Sequence, residues 1–319
     1  MALVALVAAA AVSIAVGAEP LPVRRVLEAL AGTSSDPTAT TIVRETRVPR
    51  MVAAIIVGAG LAVSGAVIQA LTRNPLADPG ILGVSAGSAF TVALGVGFLG
   101  VSGTLGTLPF AFAGALVTTL AVFAIGGSGT SPARLVLAGV AFGAVLAGIT
   151  RAIVLTDPKA FNTMRVWNAG SLEGRGWEHA APVIVFVLLG LVIAVAITPS
   201  LNATALGDDT ARALGARLLR TRVLALLSIT LLAGSATAVA GPIVFVGLMI
   251  PHVARALVGL DQRWIIGLSA LLGPVLVLLS DVLGRIALPN GELPVGVVTA
   301  FVGAPVLIAI VRRRRVISL

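Results

Sequence analysis

The sequence predicts an all-α polytopic membrane protein, and three observations carry that prediction. Hydrophobic residues fill 58% of the 319 positions and charged residues only 11%, less than half of the roughly 25% usual in soluble domains. Mean hydropathy is +1.08. Apolar runs able to bridge about 30 Å of hydrocarbon as helices recur about ten times. These runs are continuous rather than alternating in polarity, which excludes a transmembrane β-barrel. No polar segment is long enough to form a second unit, so residues 1–319 read as a single transmembrane domain.

In chain order the runs cover residues 2–16, 48–71, 81–99, 108–125, 135–155, 181–197, 223–240, 243–257, 264–283 and 295–311. The first lacks the basic leader and cleavage site of a secretory signal, so it reads as a membrane helix. After it, Val23, Val26, Leu27 and Leu30 alternate with Arg24, Arg25 and Glu28, a pattern suited to a helix lying on the bilayer surface. Small residues four apart, Gly60 with Ser64, Gly83 with Gly87 and Gly139 with Gly143, let backbones approach where no hydrophobic effect drives helices together. The eighth run is the least regular. Its surroundings, GPIVFVGLMIPHVAR at 241–255, hold two prolines, two glycines, a histidine and an arginine. Backbone groups freed by proline are costly in hydrocarbon unless protein or water satisfies them. The stretch is therefore a packed turn, the wall of a pathway, or a corner at the bilayer surface.

The net charge of +9 does not imply nucleic acid, because the basic residues are scattered through short loops. The one dense run, at 312–315, sets the C-terminus in the cytoplasm by the positive-inside rule. Ten crossings place the N-terminus there too. Cysteine is absent, and Lys159 is the only lysine. It lies outside any GxxxxGK[ST] loop, so no nucleotide site of that kind is present. His179 and His252 stand alone, and nearly every carboxylate sits in a loop. The chain thus reads as a non-enzyme with no cofactor of its own.

Asp281 and Arg285 are the exception, four apart in an apolar run. They suit either a self-neutralising pair or an arginine presented at an external mouth. Arg47 and Arg50 flank Pro49 just before the second run, and arginines at the outer ends of helices call for an acidic partner. An ion-coupled secondary transporter is the alternative class. It needs intramembrane carboxylates, and only Asp281 and Asp78 qualify.

Six stretches, in order, resemble one family. They are RVPR at 47–50, SGAVIQALTRNPLADPGILGVSAG at 64–87, RLVLAGVA at 134–141, ALGDDTARALG at 205–215, the 241–255 segment, and ELPVGVVTAFVGAPVLI at 292–308. Together they are similar to the FecCD family of ABC-transporter permeases, which includes vitamin B12 and iron–siderophore importers. That resemblance implies a ten-helix permease of the cytoplasmic membrane, paired as a homodimer within the lipid bilayer. It further implies two cytoplasmic ATPase subunits, which bind ATP and Mg, and an external binding protein that delivers a metal chelate. The cargo it implies first is iron–siderophore, with haem or cobalamin next.

Residue by residue, the resemblance assigns Ala205, Leu206, Gly207, Asp208, Ala211, Leu214 and Gly215 to the segment coupled to the ATPase. Arg47, Arg50 and Arg285 match positions that meet carboxylates of the binding protein. Gly129, Thr130 and Ser131 match an inner gate. Asn74, Pro75, Gly241, Pro242, Pro251 and His252 are positions of the family motifs.

Overall fold

The computed structural model describes residues 1–126 and 132–313, and the described residues form helices joined by short turns. The expected gate positions Gly129, Thr130 and Ser131 lie outside the described residues. Each of the ten apolar runs is helical over most of its length: α1 (Ala2–Ala15), α4 (Val48–Thr72), α5 (Val84–Leu99), α6 (Gly103–Gly126), α7 (Pro132–Thr156), α9 (Trp177–Ala196), α12 (Leu218–Ala240), α13 (Val246–Val258), α14 (Gln262–Ile286) and α15 (Val295–Arg313). The intervening helices are α2 (Val23–Ala31), α3 (Pro37–Thr41), α8 (Pro158–Trp167), α10 (Thr198–Ala205) and α11 (Asp208–Ala213). A π-helical turn at Ile42–Arg47 leads from α3 into α4, and a 3-10 turn at Pro79–Leu82 precedes α5.

The expectation of about ten crossings needs correction on length. Among the described residues six helices are long and apolar enough to cross a membrane: the continuous helix Pro37–Thr72 that contains α4, and those of α6, α7, α9, α12 and α14. Ala2–Ala15, Val84–Leu99, Val246–Val258 and Val295–Ile308 are apolar but shorter. For α13 the reason is visible. Its 13 residues give only about 20 Å of helix, because residues 241–245 before it are non-helical, with Gly241 at φ +74 and Phe245 at φ +69.

Burial sorts the helices into layers. The apolar windows of α4 and α12 are each 83% buried, against 22% for α7 and 33% for α6 and α9. So α4 and α12 form the centre, while α6, α7 and α9 turn apolar faces outward. Glycine makes the central contacts close. A Cβ on Gly58 would come within 2.6 Å of Pro274 of α14, and one on Gly65 would overlap the Gly247 carbonyl at the start of α13. The amphipathic stretch is helical as expected. On α2, Val26 and Ala29 pack with Val43, while Val23 and Leu27 are exposed.

Candidate functional site

Chemistry-bearing side chains collect at the two ends of the bundle. At the first end, Arg47 closes the π-helical turn and Arg50 sits one turn later on α4. All three expected docking arginines are buried, Arg47 at 4% exposure, Arg50 at 7% and Arg285 at 3%. Each already has partners within the chain. Arg50 grips Asp281 with two nitrogens, Nε to Oδ2 at 3.1 Å and Nη2 to Oδ1 at 2.8 Å. Its Nη2 also donates to Glu292 at 2.6 Å. Asp281 further accepts from Arg285, which realises the i to i+4 pair on α14.

Arg285 Nη1 donates to the Ser13 carbonyl at 2.8 Å and the Val16 carbonyl at 3.2 Å. Arg47 donates to the carbonyls of Ile14 and Ala15, both at 2.9 Å, and of Glu19. Two guanidiniums thus cap the last turn of α1, where carbonyls lack helical partners and positive charge suits the helix dipole. Such a cluster joins α1, α4, α14 and the segment before α15 at one point.

At the opposite end, Gly207 adopts φ +103 and Gly215 φ +85, and between them runs α11. Its close is a left-handed glycine cap: Gly215 N–H donates to Arg212 O and Ala216 N–H to Ala211 O, both at 2.9 Å. Ala211 is buried, whereas Leu206 and Leu214 are 65% and 64% exposed. Asp208 accepts from Arg73 at the end of α4 and, at 2.8 Å, from Arg222 Nη2 on α12. Nearby, Asn202 of α10 donates to Asp261 at 2.8 Å and accepts from Gln262 N–H at 2.9 Å. That bond from Asn202 holds the Asp261 carboxyl below its ordinary range. The expected coupling residues therefore form one surface unit, braced through Asp208 to α4 and α12.

Between the ends, the two irregular stretches meet. Gly247 lies against Leu61 and Pro79, and these residues, with Asp78, Ser85, Thr237 and Ile243, line a cavity of about 20 Å³, room for roughly one water. The 241–255 stretch is thus packed for the most part within the protein, with Val244 exposed. Phe245 enters α13 at φ +69, a conformation rare for a bulky side chain. Gln69 secures the helix start by donating to the carbonyls of Gly247 at 3.2 Å and Leu248 at 3.3 Å.

The remaining motif residues are structural in their contacts. Asn74 Oδ1 accepts from Leu76 N–H at 2.9 Å, which shapes the turn after Arg73 and around Pro75. Gly241, which a side chain would push into the Trp167 carbonyl, and Pro242 end α12. Pro251 lies within α13, and His252 Nδ1 sits 3.1 Å from Leu248 O and 3.2 Å from Arg255. Among the described residues no group of three or more His, Cys, Asp or Glu could hold a metal ion.

Four residues that make these contacts were given no role from sequence: Glu292, Arg73, Arg222 and Gln69. Charge balance was the usable signal for Glu292, since three arginines met only one carboxylate in Asp281. A lone amide within the apolar run of α4 was the signal for Gln69.

Comparison with known proteins accords with this layout. The profile of the FecCD transport family matches residues 5–313. Over 315 residues the chain is 48% identical to the ferric enterobactin transport system permease protein FepD of Escherichia coli (strain K12), covering 98% of this chain and 94% of that one. It is 39% identical over 306 residues to the iron(3+)-hydroxamate import system permease protein FhuB of Bacillus subtilis (strain 168), covering 95% and 79%. A solved metal-chelate type ABC transporter in an inward-facing conformation has a TM-score of 0.88 at 28% identity, with 98% of each chain covered. Nearly every residue takes part in these matches, so the chain belongs to the FecCD transport family, as the non-catalytic, multi-pass inner-membrane subunit of an ABC importer for a metal chelate.

Proposed function

We propose that the chain imports an iron–siderophore chelate as one half of a homodimer that docks two cytoplasmic ATPase subunits and an external binding protein. The observation that carries this reading is the Ala205–Gly215 unit: a short helix between two glycines at positive φ, two exposed leucines, and a brace to the central helices. An exposed apolar pair flanking a short surface helix suits insertion into a cleft of a partner. ATP-driven closure of the partner subunits would shift this unit and change which side of the membrane the pathway faces. The four shorter apolar helices complete ten crossings, with the C-terminus in the cytoplasm and the arginine end outside.

Burial of Arg47, Arg50 and Arg285 supports a positioning role in docking. They hold α1, α4, α14 and the segment carrying Glu292 as one surface, and a carboxylate of the binding protein would have to displace an internal partner to touch them. Relatives whose names specify ferric enterobactin and iron(3+)-hydroxamate support chelated iron over haem or cobalamin.

Uptake of radioactive ferric chelates into proteoliposomes holding the chain, its ATPase and its binding protein tests the proposal. Uptake is expected to need ATP and to persist when the membrane potential is collapsed. Potential-driven uptake without the ATPase would establish the ion-coupled alternative instead. Uptake of cobalamin or haem in preference to ferric chelates would overturn the cargo.

A further inference from the structure

We infer that Asp208 is the joint through which movement of the coupling segment reaches the two central helices. The inference rests on the reading of residues 205–215 as the ATPase contact. After Gly207, at φ +103, α11 opens on two adjacent carboxylates that differ in exposure and partners. The side chain of Asp209 is 98% exposed and pairs with Arg212 inside α11 at 2.7 Å. That of Asp208 is turned back to the bundle and is 32% exposed.

Its two oxygens go to different helices. Oδ1 accepts from Arg73 Nη2 at the end of α4, and Oδ2 from Arg222 Nη2 of α12 at 2.8 Å. Arg73 is held for this task. It closes α4 in a left-handed conformation, φ 50, unusual outside glycine, and its Nε is buried with no hydrogen-bond partner. The helices joined in this way, α4 and α12, are the two most buried among the long apolar helices described.

Charge-assisted hydrogen bonds are shorter and roughly twice as strong as neutral ones, so the link resists stretching better than packing alone. Its polarity also matters. One carboxylate holds two guanidiniums near each other, and without its charge they repel, parting α4 from α12 at this end. Because α4 carries Arg50 at its other end, bonded to Asp281 and Glu292, a displacement entering at Asp208 has a continuous helix along which to reach the arginine end.

The test measures ATP consumed per ferric chelate imported by the full complex in proteoliposomes. Asp208→Asn keeps the shape and removes the charge; it is expected to raise that ratio at least fivefold while the ATPase chains still co-purify. Arg73→Gln should reproduce the rise from the α4 side. Asp208→Glu keeps both bonds and should stay within twofold of the parent, which a merely structural role for this position would not require.

An unchanged ratio in Asp208→Asn overturns the inference. So does loss of co-purification, which would make Asp208 a docking residue. If Asp208→Asn fails to accumulate, the absence of cysteine from the chain opens another route: the Arg73→Cys/Asp208→Cys variant joined by a short thiol-specific cross-linker. Linking should lower the ratio at least threefold relative to the unlinked variant, and no difference overturns the joint. Gly215→Ile separates the two readings, since it disturbs the φ +85 cap and leaves Asp208 in place. Parental co-purification and uptake in Gly215→Ile would sink the coupling-segment reading itself.

Discussion

Arg50 shows how a single side chain can be legible in identity and not in task. Its neighbours Arg47 and Pro49 mark the start of a helix, yet its partners are 231 and 242 residues away. Truncating one member of a buried ion pair costs about 3–5 kcal/mol, because the other charge stays buried without compensation. Arg50→Ala would leave Glu292 without this partner and Asp281 dependent on Arg285. It is expected to lower the unfolding midpoint in detergent and the yield in membranes. Arg50→Lys should fall between, since an ammonium cannot reproduce the two-pronged grip on Asp281. Parental stability in Arg50→Ala, combined with a more than tenfold loss of binding-protein affinity, would return this arginine to a direct contact role. The Asp281–Arg285 pair was readable because helical spacing is local. Glu292 was not, because nothing local says which arginine a loop carboxylate will meet.

At the scale of elements, the apolar runs located the helices well but misplaced several starts: α6, α7, α9 and α12 begin three to five residues before their runs, and α5 and α13 three residues after. The run from 81 becomes α5 only at Val84, since Asp78 caps a 3-10 turn and Gly83 breaks it at φ +79. The run from 243 becomes α13 only at Val246, since Phe245 takes φ +69 after a non-helical entry. Hydropathy is blind to both breaks because irregular and helical apolar backbone read alike. Small-residue spacing was a usable guide to close contact at Gly87 and Gly139, where an added Cβ would meet the Gly114 and Ile81 carbonyls. Gly65, outside those pairs, offers a direct check of close packing. Gly65→Val would force α4 away from Gly247, and overpacking of this kind typically costs about 1–3 kcal/mol or more. Gly148→Ala on α7, where nothing lies within 4 Å of the added Cβ, should be neutral or stabilising by up to about 1 kcal/mol. Thermal unfolding of both variants in detergent measures the contrast. Equal midpoints would mean that the α4–α13 approach is not tight.

For the whole molecule, the division of labour is visible in what the chain holds and where. Lys159 lies in the first turn of α8, which packs beside α5 and α7, and no phosphate-cradling loop surrounds it. The purified chain is therefore expected neither to bind nor to hydrolyse ATP, with turnover appearing only when its ATPase is added. Equilibrium binding of labelled ATP checks this, and saturable binding to the isolated chain would contradict it.

Class, helix order and family followed from the linear sequence, because hydrocarbon leaves the backbone one economical way to satisfy its own hydrogen bonds and short motifs keep their order. Folding in three dimensions decided the rest. It buried the three arginines instead of displaying them, carried the broken helix inside, and set Asp208 between Arg73 and Arg222, 135 and 14 positions away. The physical reason is that a charge removed from water is stabilised only by the groups that surround it in space, and those come from segments with no relation along the chain.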